Sequence, residues 1–119
     1  MRRQVHLVIG AIAYFAYTGP LHLLLHLPAD LMLAGLFAVL FGSVLPDSLE
    51  PARTWSHRGF GHSRRILRFS LWAFALTGVL GLLRSFIPGL SPSYILSCFF
   101  LGYALHLLAD STTPAGIPG

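Results

Sequence analysis

The chain has 119 residues, of which 55% are hydrophobic and only 10% are charged. Soluble domains carry about a quarter charged residues, so this composition excludes an ordinary water-exposed surface and favours lipid as the solvent. The net charge of +4 comes from arginine alone, since the chain has no lysine. In a membrane protein, clustered arginines report topology and affinity for anionic lipid, and we expect no nucleic-acid partner. The length suits one domain, so residues 1–119 are predicted to form a single membrane-embedded unit.

Four apolar stretches predict four transmembrane helices. In chain order they cover residues 5–17, with a kinked continuation past Pro20 to Leu27, and then residues 31–45, 66–87 and 94–108. A buried all-α soluble core is the alternative. It would need polar helix faces, and LMLAGLFAVLFGSVL at 31–45 is apolar all round. The predicted fold is therefore all-α: a polytopic membrane protein with about four transmembrane helices.

The distribution of arginines predicts the orientation of these helices. Arg2 and Arg3 precede the first stretch, and a larger group lies in or beside the polar loop predicted at 46–63, whereas Arg84 lies near the opposite side. With an even number of spans, the first two groups share one side of the membrane. The positive-inside rule then places both termini and the loop on the cytoplasmic side of the membrane.

Ionisable residues from separate stretches are predicted to meet at this cytoplasmic face. They are His6, Asp47, His57, His62, His106 and Asp110. The last two stand in i, i+4 spacing, so both project from one face of a helix. Asp47 follows the predicted end of the second helix, and His62 precedes the third. Imidazole and carboxylate ligands suit a divalent cation, zinc or manganese. The sequence therefore predicts a metal site at one end of the helices.

Other interpretations of these residues stay open at this point. Each histidine taken singly is typical of an interfacial or capping position, and the metal prediction depends on their co-location. A non-catalytic membrane protein that binds anionic lipid or a partner would use the same histidines and arginines. A small ion-handling or solute-handling protein is the other alternative, although its ionisable residues would lie at midspan and these lie at helix ends. His22, His26 and Asp30 lie at the opposite end and are not assigned to the site.

The motifs, in their order along the chain, resemble a known family. An early histidine, LPD after the second stretch, HRGFGHS in the loop and GYALHLLADSTTPAG near the end are similar to the YdjM-type, LexA-regulated inner-membrane metal-dependent hydrolases. The resemblance covers the chain from His6 to Gly116. That family is distantly similar to the zinc-dependent phospholipase C and single-strand nuclease superfamily. Further ligands of the superfamily's cluster have no counterpart before the chain ends at GIPG, so the resemblance implies a short or truncated member.

The resemblance implies one or two ions, with zinc expected and manganese as the alternative. Asp47, His62, His106 and Asp110 would bind one ion. Asp110 would bridge to a second ion that His6 also ligates.

The resemblance also assigns residues to the substrate. His57 would be a further ligand or a contact to substrate phosphate, and Arg58, Ser63 and Arg64 would support the ligands or bind phosphate. A site at the level of lipid headgroups predicts a phospholipid or another amphiphilic phosphoester as substrate. Membrane lipid is the expected partner, and no oligomeric state is predicted.

A hydrolytic mechanism follows as a hypothesis. A divalent ion would acidify its bound water, which becomes the nucleophile. Asp47 or Glu50 would accept the proton from that water. Arg58, Arg64 or Arg65 would neutralise negative charge on the phosphoryl group in the transition state.

Overall fold

The computed structural model describes residues 3–49, 64–83 and 91–111, and within these ranges it contains helices and no strands. The helices are α1 (Arg3–Leu25), α2 (Ala29–Leu49), α3 (Arg64–Leu82) and α4 (Ser91–Ser111). Each contains a stretch long and apolar enough to cross a membrane. The predicted all-α polytopic membrane fold with four spans is confirmed.

The helix boundaries differ from the prediction most clearly at Pro46. α1 continues through Pro20, as predicted for its extension. α2 continues through Pro46 to Leu49, so the prediction that the loop begins at residue 46 was wrong, and Asp47 lies in the last helical turn instead of after it. Transmembrane helices tolerate proline because neighbouring groups satisfy the backbone groups that it frees. Residues 84–87 of the predicted third stretch lie outside the described residues.

A tight turn joins α1 to α2. The N–H group of His26 donates to the carbonyl oxygen of His22 at 2.8 Å, and His26 has a φ of 51°. This left-handed residue with a hydrogen bond back by four positions ends a helix in the way that glycine commonly does. Leu27 is buried directly after it. The turn therefore returns the chain against α1 as an antiparallel hairpin.

The last helix lies at the centre of the bundle, because α4 packs against α1, α2 and α3. One core cluster contains Tyr14, Leu27, Val39, Tyr94 and Cys98. A second lies towards the other end of α4, where Tyr103 and Leu107 pack against side chains of α2 and α3. Many large apolar side chains point outwards, for example Phe15, Leu23 and Trp72. This outward apolar surface suits hydrocarbon as the surrounding solvent.

Glycines set the distance between α2 and α4. A Cβ atom at Gly42 would clash with the carbonyl oxygen of Phe99, and a Cβ atom at Gly102 would clash with the carbonyl oxygen of Val39. The two backbones are therefore in direct contact at this crossing, as small residues allow in membranes. α1 also approaches closely, since a Cβ atom at Gly10 would clash with the hydroxyl of Ser43.

Hydrogen bonds between side chains join α1 to α4 in the half of the bundle that contains the end of α1 and the start of α4. Tyr17 Oη and Ser97 Oγ lie 2.7 Å apart, and Thr18 Oγ1 and Tyr94 Oη lie 2.5 Å apart. In addition, the hydroxyl of Tyr14 donates to the carbonyl oxygen of Met32. Hydroxyl groups in a span need such partners because hydrocarbon offers none. These bonds fix the lateral position of α1 against its neighbours.

Candidate metal centre

Three ionisable side chains meet inside the bundle at one end of the helices. His6 comes from α1, and His106 and Asp110 come from α4. They are 2%, 1% and 2% exposed. One candidate ligand atom from each residue lies within 4.8 Å of the other two. Ionisable groups this deeply buried are costly unless they are paired or bind a cation, so the cluster is a candidate metal centre.

The carboxylate of Asp110 lies between two imidazoles. His106 Nε2 is 3.1 Å from Asp110 Oδ2, across one helical turn. His6 Nε2 is 3.3 Å from the other carboxylate oxygen, Oδ1. The two rings are stacked, with centroids 3.6 Å apart and planes 17° from parallel. Each imidazole therefore faces its own oxygen of one shared carboxylate.

A main-chain carbonyl orients His106. The ring nitrogen Nδ1 and the carbonyl oxygen of Ser43 are 2.6 Å apart. A carbonyl oxygen only accepts hydrogen bonds, so Nδ1 carries the proton and donates it. In a neutral imidazole, Nε2 then presents a lone pair to the Asp110 carboxylate. Two acceptors at 3.1 Å repel unless a positive species, a proton or a metal cation, reduces that repulsion.

Glycines lie one helical turn from the cluster on both helices that contribute its side chains. Gly10 is four residues after His6, and Gly102 is four residues before His106. Both approach α2 too closely to carry a Cβ atom, Gly10 at Ser43 Oγ and Gly102 at the backbone of Val39 and Ser43. The same contacts bring the next turn of each helix inwards. The glycines therefore allow the two imidazoles to meet.

The structure brings together three of the residues that the sequence predicted. His6, His106 and Asp110 converge, and the i, i+4 pair projects from one face of α4 as expected. The backbone of Asp47 lies in the last turn of α2, and its side chain is outside the described part of the chain. The other predicted residues outside the described ranges are Glu50, His57, Arg58, His62 and Ser63.

The remaining predicted or excluded residues lie on described helices or in the turn between α1 and α2. Arg64 and Arg65 are exposed at the start of α3. His22 and His26, which were not assigned to the site, are exposed near the end of α1, with ring centroids 6.4 Å apart. They lie at the opposite end of α1 from His6.

The sequence did not indicate that the main-chain carbonyl of Ser43, on α2, contacts His106. The carbonyl of Ser43 carries no signal, because every residue has a carbonyl group. The glycines do carry a signal in the sequence. Gly10 follows His6 by four residues, and Gly102 precedes His106 by four residues. That spacing places each glycine on the ligand's face of its helix.

Comparison with known proteins identifies a family for the whole chain. The family described as "YdjM inner membrane protein" matches residues 1–119. No curated protein and no solved structure shows significant similarity to the chain. The distant similarity to the phospholipase C superfamily stays a prediction. The match agrees with four apolar helices long enough to cross a membrane. This multi-pass membrane protein belongs to the YdjM inner membrane protein family.

Proposed function

We propose that the protein is a membrane-bound metal-dependent hydrolase that acts on an amphiphilic phosphoester such as a phospholipid. One observation carries the proposal: two imidazoles and a carboxylate from α1 and α4 converge in a buried cluster. Buried histidine and carboxylate ligands on rigid helices are the usual means of holding zinc or a similar ion. The donor set therefore fits a divalent metal.

The contact between His106 and Asp110 supports a cation in the cluster. Nδ1 of His106 donates a hydrogen bond to the Ser43 carbonyl, and Nε2 faces a carboxylate oxygen of Asp110. A carboxylate or carbonyl that holds the far nitrogen of a ligating histidine is a common feature of metal sites, because it fixes the ring and its tautomer. The alternative is that a protonated imidazole pairs with Asp110 and no metal is bound. Measurement of the metal content distinguishes the two.

The stacking of the two rings favours two ions over one. An imidazole donates its lone pair in the plane of its ring, and nearly parallel planes 3.6 Å apart do not direct two lone pairs at one point. Asp110 offers a different oxygen to each ring, as a bridging carboxylate does. We infer that His6 and His106 would each hold one ion and that Asp110 would be a shared ligand.

Residues whose side chains lie outside the described part of the chain would complete the site. Asp47, whose helical turn belongs to α2, and His62 are the proposed further ligands, with His57 as another ligand or a phosphate contact. When bound, the ions would supply an acidified water and polarise a phosphoryl oxygen. Asp47 or Glu50 would take the proton of the attacking water.

The same proposal assigns the arginines to the substrate. Arg58, Arg64 or Arg65 would neutralise the negative charge that develops on the phosphoryl group, with Ser63 as a further phosphate contact. Arg64 and Arg65 begin α3 and are exposed. By the positive-inside rule, this end of the bundle would face the cytoplasm.

The depth of the cluster supports an amphiphilic substrate. His6 lies near the start of the span Gln4–Leu24, and Asp110 lies near the end of the span Pro92–Ser111. At a rise of about 1.5 Å per residue, both are within one turn of the helix ends. A bond hydrolysed there would be at the boundary between hydrocarbon and headgroups, where phospholipids carry their phosphoester.

Metal analysis of the full chain, purified in detergent without chelators, tests the proposal. We expect one or two zinc or manganese ions per chain in the wild type, and loss of the ions in His6→Ala and Asp110→Ala. His22→Ala is the matched control, because this histidine lies on the same helix as His6 at the opposite end; it should keep its metal. Circular dichroism on each variant checks that the helices form. Absence of metal from the wild type after incubation with zinc or manganese would exclude the hydrolase and leave a protonated His–Asp cluster.

Activity follows as the second measurement. A screen of phosphodiester and phosphomonoester lipids should find turnover that a chelator abolishes and added zinc or manganese restores. His6→Ala should remove that turnover, and His22→Ala should retain it. Stoichiometric metal without turnover on any lipid phosphoester would leave a metal-binding membrane protein of another function.

A further inference from the structure

The outward face of α3 carries an arginine near the start of the helix, followed by an apolar groove. Arg68, Trp72, Ala75 and Val79 follow one another at i, i+4, i+7 and i+11, and all four are exposed. This spacing places them on a single face of the helix. The buried residues of the helix, Ser70 and Gly81, lie on a different face. The stripe from Arg68 to Val79 therefore faces away from the bundle.

Two neighbouring open grooves lie along this stripe, and together they are called the channel. The first, of about 280 Å³, is lined by Arg68, Leu71, Trp72 and Ala75. The second has a similar volume of about 280 Å³ and is lined by Trp72, Ala75, Leu76 and Val79. Both grooves are lined by Trp72 and Ala75, so they lie next to each other on α3. The channel is apolar apart from the guanidinium of Arg68, at the end nearest the start of α3.

The length of the channel matches one leaflet of a bilayer. At about 1.5 Å per residue, the helix rises by roughly 16 Å between Arg68 and Val79. The hydrocarbon core of a bilayer is about 30 Å thick, so one leaflet contributes about 15 Å. An acyl chain lying in the channel would extend from the headgroup level to the middle of the membrane.

The positive charge of Arg68 at one end of the channel favours a lipid with an anionic headgroup. The sequence of α3, RRILRFSLWAFALTGVLGL, has arginines at its start and no acidic residue. A guanidinium matches the geometry and charge of a phosphate group, and arginine next to a membrane attracts anionic lipid. Trp72 lies one turn below Arg68, in the position of the aromatic side chains that anchor helices at the interface. We propose that the channel from Arg68 to Val79 binds one anionic phospholipid.

This lipid site is separate from the metal centre and does not depend on the proposed function. Ile66 and Leu67 of α3 pack around Tyr103 and Leu107 of α4, so Arg68 lies at the same end of the bundle as His106. The lipid therefore occupies the leaflet that contains the metal centre, but on the opposite side of α3 from α4. It acts as a bound structural lipid and is not the molecule that is hydrolysed.

Native mass spectrometry of the detergent-purified chain tests the site. The probes are phosphatidylglycerol and phosphatidylcholine with identical acyl chains, so that only the headgroup charge differs. The wild type should retain one phosphatidylglycerol in preference to phosphatidylcholine. Arg68→Gln should weaken phosphatidylglycerol binding by about fivefold, the effect of about 1 kcal/mol for one arginine at an anionic lipid.

Arg65→Gln is the matched control for charge. It removes the same charge from the same end of α3, but Arg65 does not line the channel, so its effect should be clearly smaller. Equal losses in Arg65→Gln and Arg68→Gln would overturn the site and leave only attraction between the arginines and an anionic surface.

Ala75→Phe tests the channel without changing charge. The phenyl ring would fill the groove where its two parts join, so we expect weaker binding of phosphatidylglycerol with Arg68 intact. Ile12→Phe, on the outward face of α1 at 65% exposure, is the control for a larger side chain facing lipid and should bind as the wild type does. Unchanged binding in Ala75→Phe would overturn the proposed position of the acyl chain. Metal content should stay at the wild-type level in Arg68→Gln and Ala75→Phe.

Discussion

His106 Nδ1 lies 2.6 Å from the main-chain carbonyl oxygen of Ser43 and donates a hydrogen bond to it. The bond runs from α4 to α2, two helices that cross in direct backbone contact at Gly42 and Gly102. It turns the other ring nitrogen, Nε2, towards Asp110. The packing of α2 against α4 therefore helps to set the orientation of the His106 ring, together with the side chains of His6 and Asp110.

The first prediction concerns the tautomer of His106. Because the Ser43 carbonyl can only accept, we expect Nδ1 of His106 to be protonated both with and without bound zinc. Nitrogen NMR of the chain with ¹⁵N-labelled histidine measures this directly, and the spectrum of His106→Ala assigns the signal. His22, which is exposed, supplies an internal comparison. A His106 protonated on Nε2 alone would show that the carbonyl contact does not orient the ring.

The second prediction concerns the approach of α1 to α2 at Gly10. A methyl group there would clash with Ser43 Oγ, so Gly10→Ala should lower the free energy of unfolding by about 1–3 kcal/mol, as overpacking does. It should also reduce metal content, because His6 lies one turn away. Gly19→Ala is the control: nothing lies within 4 Å of its added Cβ atom, and alanine has the higher helix propensity. Thermal unfolding in detergent, together with zinc analysis, measures both effects.

A compensating change in Ser43 makes this prediction specific. Gly10→Ala combined with Ser43→Ala removes the hydroxyl that the methyl group meets, while the Ser43 carbonyl that binds His106 is retained. The double variant should regain most of the lost stability and metal. If it remains as impaired as Gly10→Ala alone, the contact between Gly10 and Ser43 is not the cause.

The third prediction concerns the crossing of α2 and α4. A Cβ atom at Gly102 would meet the backbone oxygen of Val39 and the backbone nitrogen of Ser43. Backbone atoms do not move aside as a hydroxyl does, so Gly102→Ala should destabilise the protein more than Gly10→Ala does, and Ser43→Ala should not rescue it. The control is Gly78→Ala, whose methyl group would make an ordinary contact of 3.5 Å with the Tyr17 hydroxyl. Equal unfolding temperatures for Gly102→Ala and Gly78→Ala would contradict the close crossing.

The sequence predicts the spans well because a span depends on a simple property, an uninterrupted apolar run of sufficient length. It also predicts the pair His106 and Asp110, because helical periodicity determines which side chains share a face. His6 joins them through topology, since an even number of spans returns α4 to the end where α1 begins. These three contributions suffice to assemble the observed cluster.

The end of α2 was not predictable in the same way. Pro46 and Asp47 are typical of a turn in water, yet α2 continues to Leu49, and Pro46 is buried. In this apolar setting the loss of one helical hydrogen bond is tolerated where ending the helix would expose further backbone groups. The role of the Ser43 carbonyl was not predictable either. The carbonyl that His106 contacts depends on the distance between α2 and α4, and glycines on both helices set that distance.

The last prediction concerns the turn between α1 and α2. His26 has a φ of 51°, in the left-handed region that costs a residue with a side chain about 1–2 kcal/mol. His26→Gly should therefore raise the free energy of unfolding by about 1 kcal/mol, while His26→Val should lower it, because a β-branched side chain is strongly disfavoured at positive φ. Metal content should match the wild type in His26→Gly, since the turn lies at the opposite end of α1 from His6. Thermal unfolding of the three proteins in one detergent gives the comparison. A loss of stability in His26→Gly would mean that the imidazole itself holds the turn through its edge-to-face contact with His22, whose ring centroid is 6.4 Å away.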